Sequence, residues 1–155
     1  MFKKVAIALT ALILGSSASL AAPSIDDLLA RESAPPGVVF EIVTSQESAL
    51  ETYLPKVLGL AEQLRERFPK MPLVVLTHGS EQFSLAKSRA DEFTEIQKFA
   101  AKVDSDHAIP VEVCGNHARY RGVAESEFPN WIDVVESAGT QLEQYRSKGW
   151  KILLM

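Results

Sequence analysis

The side chain in this sequence best suited to nucleophilic chemistry is its single cysteine, Cys114. It comes directly after the mostly apolar run 111–113, and Gly115, Asn116 and His117 follow it. The nucleophile is the thiolate, and a free cysteine has a pKa of about 8.5. If a helix begins after Cys114, the main-chain N–H groups of Gly115 and Asn116 would stabilise a negative sulfur. His117 could supply positive charge or move a proton.

A second imidazole could reach the same place, because His78 and Gly79 follow the apolar run 73–77. Three chemistries stay open for these residues. Cys114 could be a nucleophile or persulfide carrier, or Cys114, His117 and His78 could bind a soft metal such as copper or zinc. Cys114 could also be a small, inert packing residue at a binding pocket or an oligomer contact. A serine hydrolase is disfavoured, since no serine lies in a Gly-x-Ser-x-Gly elbow.

The elements that must position these residues alternate along the chain. Apolar, β-branched runs predict five strands, at 38–44, 73–77, 109–113, 131–135 and 150–154. Apolar residues at helical spacing predict helices at 48–68, with a kink or break at Pro55, and at 89–103, 116–121 and 137–148. The segment between Gly79 and Ser88 follows neither pattern. The alternation predicts a three-layer α/β/α sandwich around an open, mostly parallel five-stranded sheet.

In such a sheet the carboxyl ends of all strands lie along one edge, where ligand sites form. The sequence brings polar residues to that edge: Thr44, Ser45, His78, Gly79, residues 114–117, Glu136 and Ser137. We therefore predict a site made of Cys114, His117 and His78, with Gly115, Asn116, Gly79 and Ser137 as binding residues. No cofactor and no resident metal are predicted. His107 precedes strand 109–113, so it is expected at the opposite edge.

The N-terminus predicts export. A basic start at Lys3 and Lys4 precedes an apolar stretch of about a dozen residues and then small residues, which is the pattern of a secretory signal peptide. The small residues Ser19 and Ala21 predict cleavage after Ala21, and a periplasmic or secreted protein. The domains are then a signal peptide at 1–21, an arm and linker at 22–37, and one α/β domain at 38–155.

The mature chain would be acidic and would not span a membrane. Cleavage leaves 14 basic and 20 acidic residues, a net charge of −6 against −4 for the whole sequence. An acidic chain without basic clusters is a poor partner for nucleic acid or anionic lipid. An oxidising compartment favours paired cysteines, so an unpaired Cys114 needs a reason to persist there.

From residue 111 to the C-terminus, the sequence resembles the DsrE/DsrF-like sulfur-relay family. The resemblance lies in the segment 113–116, Gly122 and Val123, the strand 132–135 with the following residues 136–138, and the segment 144–150 before the last strand. Upstream, residues 38–44, the long helix and the segment 74–79 are also similar to that family.

The resemblance implies a parallel α/β/α sandwich and subunits that assemble as homo- or hetero-oligomers, from dimers to hexamers. It implies that Cys114 accepts sulfur as a persulfide and passes it on, so the partners would be a sulfur-donor or acceptor protein or a small sulfur compound. A reaction, if there is one, would be sulfurtransferase-like. The alternative is a non-catalytic binding or oligomerisation module, with a soft metal at Cys114, His117 and His78 as one form of it.

Overall fold

The protein is described here by a computed structural model that covers residues 22–155. Its strands are β1 (Val38–Ile42), β2 (Leu73–Thr77), β3 (Val111–Cys114), β4 (Asp133–Val135) and β5 (Lys151–Leu154). They form one sheet in the order β4-β3-β2-β1-β5, and every neighbouring pair is parallel. The predicted five-stranded parallel sheet is confirmed. The predicted signal peptide, residues 1–21, lies outside the described residues.

The three central strands end level with one another. Ile42 of β1 is the register partner of Thr77 of β2, which is in turn the partner of Val113 of β3. The residues that follow these strands therefore meet along one edge, as the sequence predicted.

Helices cover both faces of the sheet, and they cover them unequally. The helices are α1 (Ile25–Leu29), α2 (Leu50–Arg67), α3 (Thr94–Ser105), α4 (Gly115–Tyr120) and α5 (Ala138–Ser147). Alternate strand residues, such as Phe40 and Val75, pack in a large core with residues of α1 to α4. The other strand residues form a smaller core on the second face of the sheet. Of the described helices, only α5 contributes residues to this core. This confirms the three-layer α/β/α sandwich.

The sequence predicted a kink or a break at Pro55, and the break is not observed. α2 runs from Leu50 to Arg67 with Pro55 inside it. Proline removes one N–H, which would have bonded to the carbonyl of Glu51 one turn earlier. Both Pro55 and Glu51 are exposed, so water can bond to the freed carbonyl.

The chain between β2 and α3 is the main departure from the predicted elements. The predicted helix 89–103 is observed as α3 at Thr94–Ser105, because two 3₁₀ turns, Ser80–Leu85 and Lys87–Arg89, come first. The residues from Glu81 to Leu85 are all buried whether they are polar or apolar, so they show no helical periodicity. β4 is also shorter than predicted, since a bend precedes Asp133.

The arm at 22–37 packs onto the domain. Ser24 and Asp27 form a reciprocal capping box at the start of α1, and Leu28 is buried in the larger core. The Arg67 guanidinium at the end of α2 donates to the carbonyls of Leu29 and Arg31. No helix within residues 22–155 is long and apolar enough to cross a membrane.

Candidate functional site

Cys114 is the last residue of β3 and the N-cap of α4. Its Sγ accepts two main-chain N–H groups, from His117 and from Ala138, each with a nitrogen–sulfur distance of 3.4 Å. Hydrogen bonds to the charged form of an ionisable group favour that form. The residue is 7% exposed, so these contacts are shielded from bulk water. The sulfur therefore lies in a small cradle of donors that suits a negative charge.

The backbone of Cys114 is fixed by a buried glutamine that the sequence pattern did not single out. The Cys114 N–H donates to Gln82 Oε1 over 2.9 Å, and Gln82 Nε2 donates to the Cys114 carbonyl over 3.4 Å. Gln82 is fully buried in the 3₁₀ turn after β2. This two-way contact holds the end of β3 against the neighbouring loop.

The donors to the sulfur differ from the predicted ones. The sequence assigned the thiolate's hydrogen bonds to the amides of Gly115 and Asn116, but they come from His117 and Ala138. The Asn116 amide donates instead to the carbonyl of Glu136 (2.9 Å), and the Asn116 side chain is exposed. This bond ties the start of α4 to the end of β4.

Gly115 lies where a side chain would not fit. A Cβ atom at Gly115 would be 2.9 Å from the carbonyl oxygen of Val135 on the adjoining strand end. Main-chain atoms cannot move aside as the end of a flexible side chain can. Gly115 therefore lets α4 begin directly beside β4, which keeps the donors to Sγ in place.

Ser137 acts on the site through α5. It is the N-cap of this helix, and its Oγ accepts the Thr140 N–H at 3.4 Å. Capping satisfies one of the free N–H groups at a helix start. The next residue, Ala138, donates to the Cys114 sulfur, so Ser137 helps to hold one donor of the cradle.

His117 is close to Cys114 in sequence, but its ring faces away from the second-face core. Its Nδ1 lies 2.9 Å from the main-chain carbonyl of His78. A carbonyl only accepts, so Nδ1 carries the hydrogen. The ring meets Phe83 edge-on, with centroids 5.1 Å apart, and Phe83 belongs to the core of the first face. The contact of His117 with the sulfur is made by its main-chain N–H.

His78 pairs with a carboxylate that the sequence pattern did not single out. His78 Nε2 lies 2.9 Å from Glu41 Oε1 on β1. Their side chains are 21% and 15% exposed, so the pair lies at the surface of the sheet edge. The feature of the sequence that could have pointed to Glu41 is a charged residue inside an otherwise apolar strand.

Gly79 makes room for a second carboxylate, Glu81, which is fully buried. A Cβ atom at Gly79 would lie 2.3 Å from Glu81 Oε2 and from the Thr44 carbonyl. Glu81 is fully buried and accepts from the Thr44 N–H (2.9 Å), the Gly79 N–H (2.8 Å) and the Thr77 hydroxyl (2.6 Å). Glu81 thus ties the ends of β1 and β2 together, and Gly79 is a structural member of the edge.

A third carboxylate lies two residues before the cysteine on the same sheet face. Glu112 is 6% exposed and accepts from the Tyr145 hydroxyl (2.6 Å) and from Gln141 Nε2 (3.1 Å), both on α5. Burial raises the pKa of Glu112 despite these hydrogen bonds, and Asp133 on β4 adds to the rise. Burial, followed by Glu112 itself, raises the pKa of Tyr145.

The three predicted site residues do not form a metal centre. One nitrogen of His78 bonds to Glu41 and one of His117 bonds to a carbonyl. Within residues 22–155, no group of three or more histidine, cysteine, aspartate or glutamate side chains could hold a metal ion. The donor set does not fit the soft-metal alternative.

The comparisons with known proteins show the fold. No protein-family model and no curated protein matches the chain. The structure is similar to that of MTH1491, a protein of unknown function from Methanobacterium thermoautotrophicum, with a TM-score of 0.57 and 17% identity over 76% of this chain and 97% of that one. It is also similar to BT1422, a conserved protein of unknown function from Bacteroides thetaiotaomicron, with a TM-score of 0.55 and 18% identity over 77% and 95%.

Proposed function

We propose that this chain is an exported, DsrE-like sulfur carrier that holds sulfur as a persulfide on Cys114. The observation that carries the proposal is the pair of main-chain N–H groups, from His117 and Ala138, that donate to Sγ. A thiolate and a terminal persulfide sulfur are both anions, and N–H donors stabilise anions. The resemblance of residues 111–155 to the DsrE/DsrF-like family supports the same role for the same residue.

Loading requires no external oxidant. The Cys114 thiolate attacks the outer sulfur of thiosulfate, a new S–S bond forms, and the S–S bond of thiosulfate breaks with its electron pair leaving on sulfite. A polysulfide reacts in the same way and leaves one sulfur shorter. Unloading reverses the roles, since an acceptor thiolate attacks the outer sulfur and Cys114 leaves as thiolate. The site needs only to favour the anion and admit the donor.

The position of Cys114 supports transfer between molecules. It lies at the carboxyl edge of a parallel sheet, where ligands bind in this class of fold. At 7% exposure the thiol is shielded, and this would help it survive in an oxidising compartment. The proposed partners are a small sulfur compound or a sulfur-donor or acceptor protein.

The second candidate is a non-catalytic oligomerisation module. Val43 and Leu154 are 48% and 58% exposed, although large apolar side chains are mostly buried in this chain. An exposed apolar patch can mark an interaction site. In this role Cys114 would be a packing residue, and oligomer formation would be the function. The sulfur-carrier role also includes oligomers, so the two candidates differ in the chemistry of Cys114.

Cold cyanolysis distinguishes the sulfur carrier from the oligomerisation module. The protein is incubated with thiosulfate or polysulfide, freed of small molecules, and treated with cyanide, which converts a persulfide sulfur to thiocyanate. We expect about one thiocyanate per chain, and none for Cys114→Ser, since Cys114 is the single cysteine. Equal thiocyanate from the parent and from Cys114→Ser, or none from either, would favour the packing role.

A further inference from the structure

The sulfur of Cys114 lies between the first turns of two helices. Its donors are the main-chain N–H groups of His117 in α4 and of Ala138, the first residue of α5, each 3.4 Å from Sγ. Cys114 and Ala138 pack in the same smaller core, and Cys114 is 7% exposed. A reagent or sulfur donor attacks or is attacked at Sγ, so a reaction at this depth requires one of the two helices to move away.

The first turn of α4 is bonded to the ends of two strands. The Asn116 N–H donates to the carbonyl of Glu136, which follows β4, over 2.9 Å. The His117 ring donates from Nδ1 to the carbonyl of His78, which follows β2, over 2.9 Å. Ala118 is fully buried in the larger core. Movement of α4 would therefore break contacts with both strand ends and with the larger core.

α5 is held to the sheet by fewer side chains. Its buried residues are Ala138, Leu142 and Tyr145, so Leu142 is the one large aliphatic side chain that anchors it. It is also the one helix among residues 22–155 that contributes to the smaller core, so no described helix packs beside it there. Elements that bury few apolar side chains are those that open at low free energy. Of the two helices that enclose the sulfur, α5 is the one expected to move.

Two polar side chains of α5 bond to the strand that carries the cysteine. The Tyr145 hydroxyl donates to Glu112 Oε1 over 2.6 Å, and Gln141 Nε2 lies 3.1 and 3.3 Å from the two carboxylate oxygens. Glu112 is 6% exposed and lies two residues before Cys114 on β3. We call these three residues, Glu112, Gln141 and Tyr145, the Glu112 latch. A buried polar group that loses its partners is costly, so the latch holds α5 against β3.

We propose that α5 is a lid over Cys114, and that the Glu112 latch sets how often the lid opens. When α5 moves away from β3, the Ala138 N–H leaves Sγ, while the His117 N–H in α4 stays in place. The sulfur is then open on the second face of the sheet. This inference rests on the proposed function, since it names the element that regulates the access of a sulfur donor to Cys114.

The test is the rate of Cys114 alkylation by iodoacetamide, followed by intact mass, at about pH 8, close to the ordinary pKa of cysteine. The rate for a shielded group follows the population of the open form when opening and closing are fast. Tyr145→Phe removes one bond of the latch, and we expect it to raise the rate on the order of fivefold, as for the loss of one hydrogen bond. Gln141→Leu should change the rate in the same direction.

The dependence of the rate on urea separates the lid from global unfolding. Opening of one helix exposes little surface, so the rate should hardly rise at urea concentrations well below the unfolding midpoint. The proposal is overturned if the rate rises from the lowest urea concentrations with the full slope of global unfolding. This comparison uses the parent protein as well, so it decides the question even if a variant folds poorly.

Tyr53→Phe is the matched control. It also removes a tyrosine hydroxyl, but from α2, and Tyr53 packs against the larger core on the other face of the sheet. Its alkylation rate should equal that of the parent. A Tyr145→Phe rate equal to that of the parent, or an equal acceleration in Tyr53→Phe and Tyr145→Phe, would overturn the role of the latch.

Alkylation needs no sulfur donor, so this test and the cyanolysis test can fail separately. If the parent yields no thiocyanate but Tyr145→Phe is alkylated faster as described, the sulfur-carrier proposal is wrong and the lid stands. If the parent yields one thiocyanate per chain but Tyr145→Phe is alkylated at the rate of the parent, the inference on α5 alone is wrong.

Discussion

At the scale of single residues, the site is built from main-chain groups. The sulfur of Cys114 accepts the N–H groups of His117 and Ala138, and its own backbone is held by Gln82. Ser137 does not touch the sulfur but caps the helix that carries one donor, and the His78 side chain bonds to Glu41. Substitution of a side chain at this edge will therefore often move the backbone that carries the donors.

Gly79 gives a direct test of how tightly the edge is packed. We expect Gly79→Ala to lower the free energy of unfolding by roughly 1–3 kcal/mol, the usual cost of overpacking. The added Cβ would lie 2.3 Å from a carboxylate oxygen of Glu81 and from the Thr44 carbonyl. Urea unfolding followed by circular dichroism measures the change.

Gly59→Ala is the control for this substitution. Gly59 lies in α2, and a Cβ atom added there would have no neighbouring atom within 4 Å. Alanine at this position should therefore stabilise the protein by about 0.5–1 kcal/mol through helix propensity. Equal effects of the two substitutions would contradict the close packing at Gly79.

At the scale of elements, α5 is held to the sheet by a buried carboxylate. Tyr145 and Gln141 of α5 both donate to Glu112 of β3, and the N-terminus of the same helix donates to Cys114. Burial raises the pKa of Glu112 above its ordinary value of 4.5. In the pH range just above that value, the folded protein therefore binds a proton that the unfolded chain releases.

The sign of the pH dependence follows from this difference. The contribution of Glu112 to stability is fully present below pH 4.5 and is lost as the pH rises through the raised pKa of the folded state. We expect Glu112→Gln, which cannot ionise, to remove this loss, so the variant should gain stability relative to the parent as the pH rises. Urea unfolding at several pH values from 4 to 8 measures the difference in the free energy of unfolding between variant and parent. Glu143→Gln, at an exposed position, is the control. A constant difference across that range would contradict the prediction.

The elements could be predicted from the sequence more fully than the site could. β1, β2 and β5 are short apolar runs, which makes buried parallel strands the simplest interpretation. The two donors to Cys114 Sγ, His117 and Ala138, belong to different helices, and no sequence pattern brings them together. Glu81 and Gln82 lie in a 3₁₀ turn whose burial follows no helical or strand period, so their role emerges only from the folded chain.

At the scale of the whole molecule, the two faces of the sheet are covered by different numbers of helices. α1 to α4 contribute to the larger core, and α5 contributes to the smaller one. Val43 and Leu154 are exposed at the ends of β1 and β5. We propose that these residues contribute to the contact between subunits that the DsrE-like resemblance implies.

This proposal predicts self-association of the described domain. Because specific association can be weak, sedimentation is measured at a protein concentration of about 100 µM. It should give a mass at least twice that of one chain. Leu154→Lys should shift the distribution toward the monomer without lowering the urea midpoint, because this side chain is 58% exposed. A parent protein that sediments as a monomer would contradict the proposal.

The sulfur-carrier proposal is tested most directly by the intact mass of the protein after incubation with thiosulfate or polysulfide and removal of the donor. We predict a gain of one sulfur atom, about 32 Da, that is reversed by a reducing thiol, consistent with attack at the outer sulfur of a persulfide. Cys114→Ser should gain nothing under the same conditions, since it has no thiol. A parent protein whose mass is unchanged, with Cys114 shown to be reduced and accessible to iodoacetamide, would contradict the account.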